Sequence, residues 1–411
     1  MNWVWDTTQS FLSRNRKRLA YAGGIAATGY TLYHLVRRQW RDYEKQSAIQ
    51  RTAKQNLKCR FEQNQHDCAF TVRIMIPAWA DEIAKELGLA ELKQQLQSMK
   101  KIPAAAMEDA ETTEAPQKSK AELWNEMKTA TFIKAVVSIY FVSLLTLFVD
   151  IQLNLVGRHT YLESVHTLFR EDDGELEIDE KRAEGLSVET RRQFLSFSWY
   201  FLNVGWKSCL DDVRRAVESC LSEVSPRSSV DYEKLNEIVA NVRTEVSANL
   251  CQPHRLSSIL FPPKEAEPLV LLQATHTMAG NGTPAVSEPL RDLLAEAQDF
   301  VESTDFLLCF EKSLDAAFDL FALYLQSELS PEVNLTKPRA GPLPGPGDES
   351  TPDSPAPSSR PMPLAAALPR VERVVDHILA SDTNRFIEAI SVIPEVKALS
   401  AIVFTGWPDF E

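Results

Sequence analysis

The chain predicts an all-α fold: an elongated multi-helix bundle with one N-terminal transmembrane helix and disordered loop insertions. Three observations predict it. Apolar residues recur at helical spacing over most of the 411 residues, and no run alternates with period two over a useful length. The first forty residues also pair a basic cluster with an apolar segment.

Arg14, Arg16, Lys17 and Arg18 form a basic N-terminal targeting segment, 1–18, which runs into the apolar stretch Leu19–Val36 and is answered by Arg37, Arg38 and Arg41. A spanning helix needs about 20 mostly apolar residues, so an anchor over 19–36 is short, and it carries Thr28, Thr31 and His34. Tyr21, Tyr30 and Tyr33 suit the headgroup level, and the flanking arginines can snorkel to the interface. A cleaved signal peptide and an amphipathic core helix are the competing readings. No convincing small-x-small cleavage motif precedes the second arginine pair, which counts against the former.

Charge is split. Residues 1–60 carry a net +9 and the remaining 351 a net −22, within a total of −13. The basic end suits anionic headgroups. The acidic bulk would be repelled by nucleic acid, and it shows no basic stripe interleaved with aromatics, so no nucleic-acid partner is expected. The six cysteines, Cys59, Cys68, Cys209, Cys220, Cys251 and Cys309, are widely spaced and read as buried thiols of a reducing compartment. Sequons at Asn281 and Asn334 would matter only in a secreted chain.

Residues 41–411 read as a cytosolic helical bundle. Residues 40–64 are polar with apolar positions at wide helical spacing. Over 78–99, Ile83, Leu87, Leu89, Leu92, Leu96 and Met99 fall on one broad stripe, which predicts a single amphipathic helix. Helical character continues at Glu122–Leu155, 191–224, 231–249, 287–329 and 364–404. Within the first of these, Ala135–Val149 is apolar all round. Fifteen such residues are short for a bilayer, so the stretch reads as the central buried helix rather than a second span. Gln152 and Asn154, at its end, should hydrogen-bond neighbouring backbone. Breaks are expected at 101–119, 170–188, 262–286 and 331–363; the last holds ten of the 23 prolines and too few aliphatics to order itself.

Catalytic chemistry has little support. There is no Gly-rich phosphate loop, GxSxG elbow or HExxH. His159, Glu163 and His166 are spaced i, i+4, i+7, but three ligands without a second cluster read as ordinary side chains. Cys59, His66 and Cys68 have no ligand spacing. No metal and no cofactor is expected, and an enzyme is a minority reading.

Several blocks, in order, carry a resemblance: FEQNQHDCAFTVRIMIP (Phe61–Pro77), AELWNEMK (Ala121–Lys128), IQLNLVGRHTYLES (Ile151–Ser164), FLSFSWYFLNVGWKSCLDDVRRAV (Phe194–Val217), PLRDLLAEAQDFVESTDFLLCFEKSLDAAFDLF (Pro289–Phe321) and FIEAISVIPEVKALSAIVF (Phe386–Phe404). Together they resemble the peroxin-3 family of peroxisomal biogenesis factors, in a fungal-type form with longer loops at 101–119 and 331–363. The resemblance implies a single-pass peroxisomal membrane protein with a short matrix-side N-terminus and its bulk in the cytosol. It implies a docking receptor for peroxin-19, the carrier of newly made peroxisomal membrane proteins, with no catalytic activity or cofactor. Peroxisomal membrane lipids are a further partner. An adaptor for inheritance or pexophagy (autophagy) factors is the alternative role.

The partner's N-terminal amphipathic helix is then expected in an apolar groove. By themselves, the residues favour a packed core position for Trp124; the resemblance turns it into the groove's anchor, with Lys120 matching the family's lysine four residues before it. Met127 and Lys128 are expected one turn later on the same face and Leu123 beside it, with Leu92, Leu96 and Met99 as the facing aliphatic wall.

Overall fold

The computed structural model describes residues 51–52, 54–101, 119–172, 186–275, 286–329 and 361–406. The expected anchor at 19–36, with Arg14, Arg16, Lys17 and Arg18, lies outside the described residues, as do nearly all of 101–119 and 331–363. The chain divides into two units, 1–63 and 64–411. In the first, the described residues are helical, with Lys58 and Glu62 paired at 3.8 Å.

The larger unit is all-α, as its periodicity predicts. Its first helix, α1, includes residues 64–86. The stripe over 78–99 is not one helix: α1 ends at a Leu87–Gly88 turn and α2 is Leu89–Lys101. Gly88 takes φ +57°, the left-handed cap that a side chain resists, and its N–H reaches the Lys85 carbonyl at 3.0 Å. The stripe still faces inward, since Ile83, Leu89 and Leu96 are buried.

Helix α3, Lys120–Asp172, is 53 residues long and runs well past the expected end at Leu155. Its start is set by a reciprocal cap. The Ser119 hydroxyl accepts the Glu122 N–H at 3.3 Å, and Glu122 Oε2 accepts the Ser119 N–H at 2.8 Å. Among the described residues, Lys120–Ser164 is the one stretch long and apolar enough to cross a membrane, but 94% of its most apolar window is buried inside the fold. It is the core helix. Several polar groups on it find partners: Thr131 and Thr146 donate to carbonyls four residues back, and Gln152 Nε2 reaches the Phe194 carbonyl at 3.2 Å.

Short helices pack around α3. They are α4 (Val188–Ser196), α5 (Trp206–Leu221), α6 (Tyr232–Leu250), α7 (Pro253–Leu260), α8 (Glu267–Thr275), α9 (Glu288–Glu302), α10 (Thr304–Leu329), α11 (Leu364–Ile378), α12 (Arg385–Ser391) and α13 (Pro394–Thr405). The expected runs 191–224, 287–329 and 364–404 are thus each subdivided, and α8 occupies part of a stretch expected to be a break. Pro268 is tolerated there because it sits in the first turn, where N–H groups have no helical partner. Between α4 and α5 the backbone widens into a π-turn, Phe201–Gly205. Any Cβ at Gly205 would meet the Ile259 carbonyl oxygen of α7 at 1.9 Å, so glycine permits this approach. An aromatic stack ties α1 to the core: Trp79 lies flat on Phe141 at 3.7 Å, and Phe141 lies on Phe201 at 5.0 Å.

Among the described residues, one small departure from an all-helical chain occurs. β1 (Ser229–Val230) and β2 (Met362–Pro363) pair antiparallel, Ser229 opposite Pro363. Two residues per strand are too short to leave an alternating pattern.

The deepest polar cluster centres on Asp150. Asn154 Nδ2 donates to Asp150 Oδ1 at 3.0 Å, and Ser400 of α13 donates to Oδ2. Burial pushes the Asp150 carboxyl up to about 6, against hydrogen bonds from Ser400 and Cys68 that favour its charged form. All six cysteines are free; Cys68, Cys209 and Cys309 are buried, Cys220 and Cys251 are half-buried and Cys59 is exposed, so the expectation of buried thiols holds for three of the six.

A furrow between three helices around Trp124

The capping box at Ser119 and Glu122 sets the first turn of α3, and Trp124 follows on the next turn. Its indole is half-buried and packs against the core. Beside it, Met127 and Thr131 complete one wall of a furrow. Trp124, Met127 and Thr131 are spaced i, i+3, i+7, the rhythm that keeps side chains on one helical face. The Thr131 hydroxyl is spent on the Met127 carbonyl at 2.8 Å, which leaves its methyl for the furrow.

Lys93, Leu96 and Gln97 of α2 form the second wall, and Leu368, Pro369 and Glu372 of α11 the third. An ion pair between Lys93 and Glu372 joins the two outer walls. Its side chains are 46% and 27% exposed, a partly solvated pair whose contribution to stability is about 1 kcal/mol; it links α2 to α11. The furrow encloses about 240 Å³, below the roughly 300–1,000 Å³ of small-molecule and cofactor sites.

Of the residues expected in a partner site, the furrow brings together Trp124, Met127 and Leu96. Lys120 is exposed one turn before Trp124. Leu92 and Met99 pack half-buried against the core but do not line the furrow. Leu123 does not belong with them: it is 1% exposed, in the core, because neighbours along a helix point about 100° apart. Lys128 also turns inward, its ammonium donating to the Leu221 and Val224 carbonyls at 2.9 and 2.7 Å.

Sequence reasoning missed the α11 wall entirely. It also missed Lys93 and Gln97, although Lys93 lies one turn before both Leu96 and Gln97. No group of three or more His, Cys, Asp or Glu able to hold a metal occurs among the described residues. His159 is half-buried, Glu163 pairs with Arg191 at 3.4 Å, and the His166 side chain lies outside the described residues. The furrow can bury apolar side chains between polar rims, which is how an amphipathic helix is recognised.

Comparisons with known proteins place this geometry in context. The model of the family Peroxin-3 matches residues 10–115 and 102–406. The chain is 25% identical over 441 residues to "Peroxisomal biogenesis factor 3" of Yarrowia lipolytica, covering 97% of this chain and 99% of the relative. It is 26% identical over 326 residues to "Peroxisomal membrane protein PEX3" of Komagataella pastoris, covering 66% and 71%. Over 412 residues it is 23% identical to "Peroxisome biogenesis protein 3-2" of Arabidopsis thaliana, covering 98% and 100%.

Proposed function

The chain belongs to the peroxin-3 family and so has a role in peroxisome biogenesis; from that premise we propose that it is a non-enzymatic docking receptor for peroxin-19 carrying newly made peroxisomal membrane proteins. The partner's N-terminal amphipathic helix lays its apolar face into the furrow around Trp124, with Met127 and Leu96 on either side. The observation that carries this reading is a half-buried indole at the edge of an apolar furrow walled by three helices. A large, rigid ring flanked by aliphatic side chains is the usual form of a binding hot spot. Lys120, exposed one turn before, adds a rim charge that steers encounter.

The receptor reading places residues 19–36 in the peroxisomal membrane as a single span, with Arg14, Arg16, Lys17 and Arg18 against lipid headgroups and the helical bundle in the cytosol. Charge supports a membrane-facing N-terminal end, because residues 1–60 carry a net +9 and the remainder a net −22. The test is a pull-down of the full chain in detergent with a peroxin-19 N-terminal peptide, wild type against Trp124→Ala. Retention of peptide by wild type and its loss by the variant is the expected result; equal retention removes the furrow from the function.

A further inference from the structure

Lys128 is 4% exposed, an unusual place for an ammonium, and it has no carboxylate partner among the described ion pairs. Burial lowers its pKa. Instead it serves the end of another helix. The Leu221 carbonyl closes α5 and also accepts the Val224 N–H at 3.1 Å, and the Val224 carbonyl lies three residues beyond the helix, so Lys128 clamps the helix end and the turn after it, where the helix dipole favours a cation. The chain from there is short and closely bonded. Ser228 N–H returns to the Ser225 carbonyl at 3.0 Å, and β1 pairs with β2. The next contact is with α11 itself: Leu364 N–H donates to the Ser228 carbonyl and Ala365 N–H to the Pro226 carbonyl, both at 2.9 Å. Two of the orphan donors at the start of α11 are therefore held by the turn that Lys128 anchors. One turn further along α11 lie Leu368 and Pro369, and two turns further Glu372, the third wall of the furrow.

We infer that Lys128 is a positioning residue for the furrow: through the 221–228 turn it fixes the first turn of α11, and with it the wall facing Trp124. Lys128 touches no ligand. Its position four residues after Trp124 lets one helix supply both the anchor and the strut that sets the opposite wall. The inference rests on the docking reading only for its effect on affinity, since the strut itself is a property of the free protein.

The experiment uses the full chain in detergent, with hydrogen exchange followed at Leu364 and Ala365 and, as a remote control, at Phe386 and Ile387, whose N–H groups are held by the Asn384 side chain. In Lys128→Met, which keeps the stem and removes the donors, exchange at Leu364 and Ala365 should quicken about tenfold, equivalent to 1.4 kcal/mol. Exchange at Phe386 and Ile387 should not change. Affinity for the peroxin-19 peptide should fall by a similar factor. Unchanged exchange at Leu364 and Ala365, or an equal rise at all four amides, overturns the inference. Should the variant not fold, wild type answers the question: saturating peptide should slow Leu364 and Ala365, and peptide that binds without slowing them overturns it. If no peptide binds wild type, the docking reading fails, while the peptide-free exchange of Lys128→Met still decides the strut.

Discussion

Replacing Trp124 by alanine is the sharpest perturbation available, because the ring is only half-buried before any partner arrives. On docking, the half-buried indole leaves on the order of 50 Å² to be covered, and the partner's facing side chain loses a comparable area; ~100 Å² at 25 cal/mol/Å² gives about 2.5 kcal/mol. That lies within the hot-spot range of about 2–4 kcal/mol and corresponds to roughly sixtyfold in affinity. The assay is a titration of labelled peroxin-19 N-terminal peptide with the full chain, read by fluorescence anisotropy, with thermal melts of each variant. Trp199 supplies the control. It is also half-buried against the core but does not line the furrow, so Trp199→Ala should leave affinity within twofold. An affinity unchanged by Trp124→Ala, or an equal loss with Trp199→Ala, would refute the argument that this indole contributes through covered area.

Three other measurements probe different parts of the molecule. Lys120→Glu should weaken the same peptide about two- to fivefold at low salt and hardly at all at 0.5 M, because an exposed rim charge is screened; a salt-independent loss contradicts the rim role. Gly205→Ala should lower stability by about 1–3 kcal/mol, since its Cβ would stand 1.9 Å from the Ile259 carbonyl oxygen; a melt within 1 °C of wild type shows that the helices do not meet there. Asp150 provides a pH test. Its carboxyl is pushed up to about 6 by burial, so the folded state holds the proton more tightly than the unfolded state. The stability associated with that proton is full below the unfolded value and is lost as pH rises from about 4 through 6. The loss reaches about 3 kcal/mol by pH 7.5. Asp150→Asn, which can still face Asn154 and Ser400, should therefore melt above wild type at pH 7.5, with the gap halved near pH 5. A gap independent of pH would show that Asp150 titrates normally.

Much of the bundle is readable along the chain because its elements are local. Ala135–Val149 announces a core helix by being apolar on every side, and the stripe from Ile83 to Met99 announces an inward face whether or not Gly88 breaks it. The break itself had a local signal in the single glycine of that stripe, and the start of α3 had one in the Ser119–Glu122 spacing. Orientation was legible only in part. Leu123 adjoins Trp124 in sequence yet points into the core, and Lys128, placed one turn on from the indole, is drawn away by helix-end carbonyls that come from Leu221 and Val224. The third wall was not legible at all. Leu368, Pro369 and Glu372 follow Trp124 by more than 240 residues, and their alignment with it depends on how the first turn of α11 docks on the 226–228 turn. No periodicity within α11 records that contact.

The way the walls are held bears on how such a furrow binds a peptide. Association must offset the ordering of both partners, and a surface already in its bound shape removes one share of that cost. Here each wall is fixed before a ligand is present. A capping box starts α3 just ahead of Trp124, the α1–α2 turn at Gly88 sets the start of α2, and the 226–228 turn holds α11. The Lys93–Glu372 pair then ties the two outer walls to each other. Partly solvated, that pair adds little to folding, but joining the two helices it limits how far α2 and α11 can part. In the proposed docking, the entropy cost therefore falls mainly on the incoming helix. A partner segment with its helix already formed should gain affinity, whereas further rigidity in the bundle should add little.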